Sequence, residues 1–181
     1  MNYCPNCGSP NLKTEVPRGD NHPRQVCRDC HTIHYRNPKI VTGCLPIWED
    51  KVLLCRRAIE PAYGLWNVPS GYLEIGESVA DGARREVREE AAAEVAIDYL
   101  ITLYNIERID QVYLQYVGSL REGKFGVGEE SLECRLFTEK AIPWEEIAFT
   151  SSAFTLHHYF RDRRAGVKRL HSGSYPATVA P

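Results

Sequence analysis

The chain has 181 residues, 43% of them hydrophobic, which is enough for one substantial core and a small satellite module. Its 22 basic and 24 acidic residues leave a formal charge of −2, which argues against broad electrostatic capture of nucleic acid or an anionic membrane. No apolar run approaches the roughly 20 residues a membrane helix needs, and the N-terminus lacks the basic start and apolar stretch of a signal peptide, so a cytoplasmic, reducing setting is expected.

Residues 1–36 are rich in Cys, Asn, Pro and charge and have little apolar periodicity, so they need a crosslink to hold a fold. Cys4-x-x-Cys7 and Cys27-x-x-Cys30, with nineteen residues between the pairs, suit tetrahedral thiolate coordination of Zn²⁺. Two disulfides are the alternative, and the lack of any secretory feature argues against them. His22, His31 and His34 are nearby substitutes for a thiolate. The other three of the seven cysteines, Cys44, Cys55 and Cys134, sit in apolar, strand-like runs and read as small buried side chains.

After Asn37-Pro38, segments 39–47 and 52–56 read as strands around a Glu49-Asp50 turn. Residues 60–71, punctuated by Gly and Pro, read as a loop. A helix follows: Ser78 is its N-cap with Asp81 three residues on, and Val79, Ala80, Ala83, Val87 and Ala91 form an apolar stripe. Gly82, among the acids, is read as leaving room for ions and phosphate. Segments near 94–106, 111–121 and 132–138 carry strand-forming residues, completing a mixed sheet. Pro143-Trp144 opens a short helical turn, and Ser151 or Ser152 caps a longer helix that Gly166 ends. Residues 167–181 read as a tail.

The chemistry is concentrated on the first helix. At about 100° per residue, Glu86, Glu89 and Glu90 fall within roughly a 100° arc, so three mutually repelling carboxylates share a small volume. Cations make that arrangement tolerable, and all-oxygen ligands favour Mg²⁺ or Mn²⁺, which also hold substrate phosphates. A solvated acidic face interleaved with Arg84, Arg85 and Arg88 is the alternative reading of the acids alone.

The residues before the helix decide between them. Gly71, five residues, Glu77, seven residues, then Arg85-Glu86-Val87-Arg88-Glu89-Glu90 resembles the Nudix box. The pattern's final Gly is Ala92 here and its last aliphatic is Ala93. Because that Gly ends the helix in a left-handed conformation, Ala92 is expected to cost on the order of 1 kcal/mol. The resemblance implies an α+β fold, an α/β/α sandwich about a mixed sheet preceded by a small zinc ribbon, with boundaries at 1–36, 37–166 and 167–181.

It also implies hydrolysis of a phosphoanhydride, with the box glutamates Glu77, Glu86, Glu89 and Glu90 holding catalytic Mg²⁺ or Mn²⁺ and Arg85 paired with Glu77. Glu130 and Glu133 are the candidates for a general base, since many Nudix proteins carry a functional glutamate in the corresponding loop. Arg56 and Arg57 are candidates for clamping phosphate. Gly71 lies at the substrate side, and Tyr63, Trp66, Tyr72 and Tyr104 offer flat surfaces to a nucleobase or isoalloxazine.

Nearly the whole chain is similar to the zinc-ribbon Nudix branch that includes plant FAD pyrophosphatases also acting on ADP-ribose, as in Gly64-Leu-Trp66, Gly71-Tyr-Leu-Glu74 and Glu130-Ser-Leu-Glu-Cys-Arg-Leu-Phe137. The implied substrates are dinucleotides or nucleotide sugars. NADH/NAD pyrophosphatases share this domain plan, but their Ser-Gln-Pro-Trp-Pro-Phe-Pro segment is replaced by Leu103–Tyr113. A non-enzymatic nucleotide-sensing or nucleic-acid-binding module is the rival class; the scattered basic residues of 1–36 argue against it. A homodimer is expected by analogy with other Nudix enzymes.

Overall fold

The computed structural model describes residues 1–175, which separate into two compact units, 1–37 and 38–175. The first is a three-stranded antiparallel sheet of β1 (Leu12–Glu15), β2 (Arg24–Cys27) and β3 (Ile33–His34). Each Cys-x-x-Cys turn is closed by a residue in the left-handed region, Gly8 at φ 74° and His31 at φ 58°. That reversal lets both knuckles present their sulfurs to one point.

The second unit is built on a mixed sheet. In chain order it contains β4 (Lys39–Trp48), β5 (Lys51–Arg57), β6 (Trp66–Asn67), β7 (Ser70–Tyr72), α1 (Val79–Ala91), β8 (Val95–Ile106), β9 (Gln111–Leu120), β10 (Ser131–Phe137), α2 (Thr150–Ala165) and β11 (His171–Tyr175). The strands order as β10-β5-β4-β9-β8-β11, with β6 paired to β5 and β7 to β4. The β4–β9 and β8–β11 pairings are parallel, the rest antiparallel.

Strand periodicity divides the core between the two faces. From β4 and β5, Cys44, Leu53 and Cys55 pack with Ala83, Val87 and Ala91 of α1. Their neighbours Leu45, Val52 and Leu54 pack on the opposite face with Leu156, Tyr159 and Phe160 of α2. The result is the α/β/α sandwich, with α1 laid across the sheet beside β4.

Four local expectations change. The 60–71 loop contains β6 and β7, too short to carry a period but bonded to β5 and β4. Helix α2 begins after Phe149 with no side-chain cap, and Ser151 and Ser152 are buried in its first turn, where Ser152 Oγ accepts from Val68 N (3.3 Å). Within the segment read as a tail, 171–175 form β11, anchored by His171 Nε2 against Asp162 Oδ2 at 2.6 Å; 176–181 lie outside the described residues. Gly82 serves packing: a Cβ there would lie 2.7 Å from both Thr42 Cγ2 and Glu77 Oε1, so its absence lets α1 approach β4.

Candidate active site

Both ends of α1 are fixed by side chains and by a distant loop. Ser78 Oγ accepts from Asp81 N (3.1 Å) and donates to Asp81 Oδ2 (2.6 Å), satisfying a terminal N–H. Ala92 ends the helix at φ 46°, ψ 41°, its N–H bonded to Arg88 O, so the alanine occupies the left-handed position expected of it. Gly126 N and Gly128 N then donate to the carbonyls of Ala91 (2.7 Å) and Glu90 (3.0 Å). A Cβ on Gly128 would meet Glu89 O at 1.7 Å, so this latch requires glycine.

On the helix so held, Arg85 gathers the acids. Its Nε and Nη2 reach the two oxygens of Glu77 at 3.1 and 2.8 Å, while Nη1 reaches Glu86 at 2.6 Å and Glu89 at 2.9 Å. Nη2 also donates to Tyr72 O (2.9 Å), tying the helix to β7. Glu77 therefore has both oxygens engaged, Oε1 additionally accepting from Glu74 N, and the Arg85 bonds hold its pKa below the ordinary carboxylate value. Its position is that of an anchor for the loop before the helix.

Glu86 and Glu90 are buried, at 7% and 5% exposure, and Glu89 is exposed. Glu90 Oε1 accepts from Ser70 N (3.0 Å) and Oε2 from Asn67 Nδ2 (3.3 Å). Burial nevertheless raises its pKa to about 8, with the Glu86 charge adding to the rise. Glu86 is raised to about 6, again chiefly by burial, against the opposing pull of Arg85. A Cβ on Gly71 would sit 2.5 Å from Glu86 Oε1, so Gly71 is needed for that carboxylate to lie against β7.

The remaining candidates separate by position. Glu130 is exposed and close enough that its charge raises the pKa of Glu86, whereas Glu133 is engaged by Arg135. Arg57 lies close enough to Glu90 to oppose its rise in pKa; its Nε donates to Pro61 O (2.8 Å) and its guanidinium stacks over Phe149. Arg56 Nε is bound to Gly64 O (2.7 Å), which shapes the 58–64 loop.

Of the aromatics, Trp66 packs on Phe137 and Tyr104 on Phe154, both in the core, while Tyr63 and Tyr72 are exposed. Sequence reasoning missed the support of Tyr72. Its hydroxyl accepts from Gln111 Nε2 (2.8 Å), Gln111 Oε1 accepts from Tyr113 OH (2.9 Å), and Lys39 Nζ lies 4.8 Å from the ring centroid. Asn67 was missed as well; a wholly buried amide between Trp66 and Val68 is its only local signal.

Hard divalent ions fit the helix. The donors are all oxygen, two of the carboxylates are desolvated enough to resist ionising together, and Asn67 Oδ1 is buried without a hydrogen-bond partner among the described residues. Glu86, Glu89 and Glu90 are the side chains that would hold such ions.

Zinc fits the first unit on geometry. The four sulfurs lie within 4.8 Å of one another, with Cys4–Cys30 at 3.7 Å and Cys7–Cys27 at 3.6 Å. A tetrahedron of Zn–S bonds has an edge of about 3.8 Å. His34 Nε2 contacts Cys4 Sγ at 3.3 Å from outside this set, and the Thr32 hydroxyl and Asn6 amide draw the Cys30 thiol down to about 5. Cys7 goes the other way: despite the hydrogen bond from the Ser9 backbone, its contact with Cys30 pushes that thiol up to about 12, so a cation bound there would displace its proton.

Comparison with known proteins matches residues 37–159 to the NUDIX domain family and residues 2–36 to the zinc ribbon described as Nudix N-terminal. The NAD-capped RNA hydrolase NudC of Vibrio atlanticus (strain LGP32) is 32% identical over 99 residues, 53% of this chain and 34% of that protein. The chain thus spans about a third of that relative. An ADP-ribose pyrophosphatase of Methanocaldococcus jannaschii is 23% identical over 113 residues, 60% of this chain and 67% of that protein. The crystal structure of a NUDIX hydrolase from Nitrosomonas europaea superposes with a TM-score of 0.92 at 44% identity, covering 97% of this chain and 99% of that one.

Proposed function

Because this chain belongs to the Nudix hydrolase family, we propose that it cleaves the phosphoanhydride of a nucleoside diphosphate linked to a second moiety, with FAD (to FMN and AMP) and ADP-ribose (to AMP and ribose 5-phosphate) as its substrates. The observation that carries the reading is the burial of Glu86 and Glu90 beside Arg85 on one helix, a cost that serves nothing without cations and phosphate. Bound Mg²⁺ or Mn²⁺ would neutralise phosphate charge and acidify water there.

The chain's own groups do the rest. Arg85 fixes Glu77, Glu86 and Glu89 relative to β7, so the acids are preorganised. Ser70 N and Asn67 aim both oxygens of Glu90. Glu130, exposed and without an engaged carboxylate among the described residues, is the better candidate to take a proton from the attacking water; Glu133 would have to leave Arg135. Tyr72, braced by Gln111, offers a ring face to the base or flavin, and Arg57 supplies positive charge near Glu90. The ribbon would carry structural Zn²⁺, and the protein would act as a cytoplasmic homodimer, a state light scattering checks.

A second reading follows from the NudC relatives: an NADH/NAD pyrophosphatase. Where a Pro-rich segment is expected of NADH pyrophosphatases, this chain has the end of β8, a tight turn with Asp110 at φ 52° and the start of β9, which carries Gln111 to Tyr72. That arrangement supports the FAD and ADP-ribose reading. The test is to assay FAD, ADP-ribose and NADH with Mg²⁺ and with Mn²⁺, for wild type and Glu90→Gln. Turnover of FAD or ADP-ribose should exceed that of NADH and fall by roughly 10²–10³-fold or more in the variant. Folded protein that turns over none of them, or a fully active variant, defeats the proposal.

A further inference from the structure

One group of reactive side chains is used neither by the carboxylate helix nor by the zinc ribbon. Cys134 of β10 stands directly opposite Cys55 of β5 in the antiparallel ladder, and their sulfurs are 3.3 Å apart. Residues directly opposed across such a ladder have Cα atoms about 4.5–5.5 Å apart, within the span a disulfide bridges. Closing the bond to about 2.05 Å requires the sulfurs to approach by a little over 1 Å, within reach of small side-chain rotations.

We propose that Cys55 and Cys134 are a reversible oxidation site, a thiol pair that a small peroxide or a low-molecular-weight disulfide converts to a cross-strand disulfide beneath the C-terminal end of α1. Exposure divides the labour: Cys55 is fully buried and Cys134 only partly, so Cys134 meets the oxidant and Cys55 resolves it. With a peroxide, the Cys134 sulfur attacks one oxygen, the O–O bond breaks, a first water leaves and a sulfenic acid remains. The Cys55 sulfur then displaces that hydroxyl, which departs as a second water. Two thiols have lost two electrons and two protons, and the peroxide has gained them. With a disulfide oxidant, two exchange steps release two small thiols instead.

The modification reaches the carboxylate helix through one bond. As a thiol, Cys134 donates to the carbonyl of Glu90 at 3.4 Å; as a disulfide it has no proton to donate. Gly128 N then remains on that carbonyl, and Gly126 N on Ala91, so oxidation loosens the junction between α1 and the 126–128 loop without abolishing it.

To test this, full-length, zinc-loaded protein is treated with hydrogen peroxide or glutathione disulfide, residual thiols are alkylated, and the digest is mapped without reduction. Zinc release is followed in parallel to report on the ribbon thiols. A Cys55–Cys134 linked peptide formed before zinc is lost, reversed by dithiothreitol and absent from Cys134→Ser supports the proposal, with several-fold faster amide exchange at Gly126 and Gly128. Recovery of Cys134 as a mixed disulfide or higher oxide with Cys55 still a free thiol overturns it. So does finding both thiols unreacted, or either one paired with a ribbon cysteine. The mapping needs no hydrolytic turnover, so it succeeds or fails independently of the proposed activity.

Discussion

At Glu90 the environment works against ionisation. A carboxyl group whose ordinary value is 4.5 is raised to about 8 by burial, and Glu86 to about 6. Both shifts are upward, so the folded metal-free protein binds these protons more tightly than the unfolded chain does, and stability must fall as pH rises from the ordinary carboxylate value through each folded value. Thermal denaturation of metal-free protein should show a lower midpoint at pH 9 than at pH 6. Excess Mg²⁺ should remove most of that slope by taking the protons' place, and Glu90→Gln should flatten it without metal. A slope unchanged by the substitution would show that Glu90 is not the group responsible. The carboxylates themselves were legible, because helical spacing fixes which acids share a face. Their supports were not: Asn67 reaches Glu90, and Gln111 reaches Tyr72, across strand pairings that no local pattern encodes. The Arg85–Glu77 pair, by contrast, is the one the box pattern implied, and the structure has it through both carboxylate oxygens.

Elements were readable in proportion to their length and period. Both helices and the long strands lie close to where periodicity sets them, and Gly166 ends α2 at φ 66° as read. β6 and β7, with two and three residues, have no period to read and exist because β5 and β4 offer them free edges. β11 is held by a partner rather than by propensity. Its His171 meets Asp162, whose side chain is only 4% exposed, and adds a strand in parallel to β8. Removing the imidazole strands a buried carboxylate, so His171→Ala should destabilise the second unit by roughly 1–3 kcal/mol. Urea unfolding measures this, and amide exchange along β11 should rise first. An unchanged midpoint would mean that backbone pairing alone holds the strand.

Across the whole molecule, two units obtain their order from different sources. Residues 38–175 fold around apolar layers on both faces of a sheet, whereas residues 1–37 bury little beyond Cys4, Val26 and Cys27. The smaller unit is therefore expected to depend on a metal held by its four cysteines. Stripping zinc with a strong chelator should abolish amide-exchange protection in β1–β3 while that of β4–β10 survives; protection that persists in the ribbon, or is lost from both units together, contradicts this dependence. The cysteine spacing made the ribbon legible because coordination geometry is written in the spacing, but nothing comparable marks which side chains meet the non-adenine half of a dinucleotide.

The glycine latch on α1 has a further consequence, for the order of events during synthesis. The carbonyls of Glu90 and Ala91 wait for partners encoded more than thirty residues later, at Gly126 and Gly128. A ribosome must therefore deliver β8 and β9 before the acid-bearing segment has a finished terminus. Until then a growing polypeptide carries the motif's letters without the loop that closes its helix.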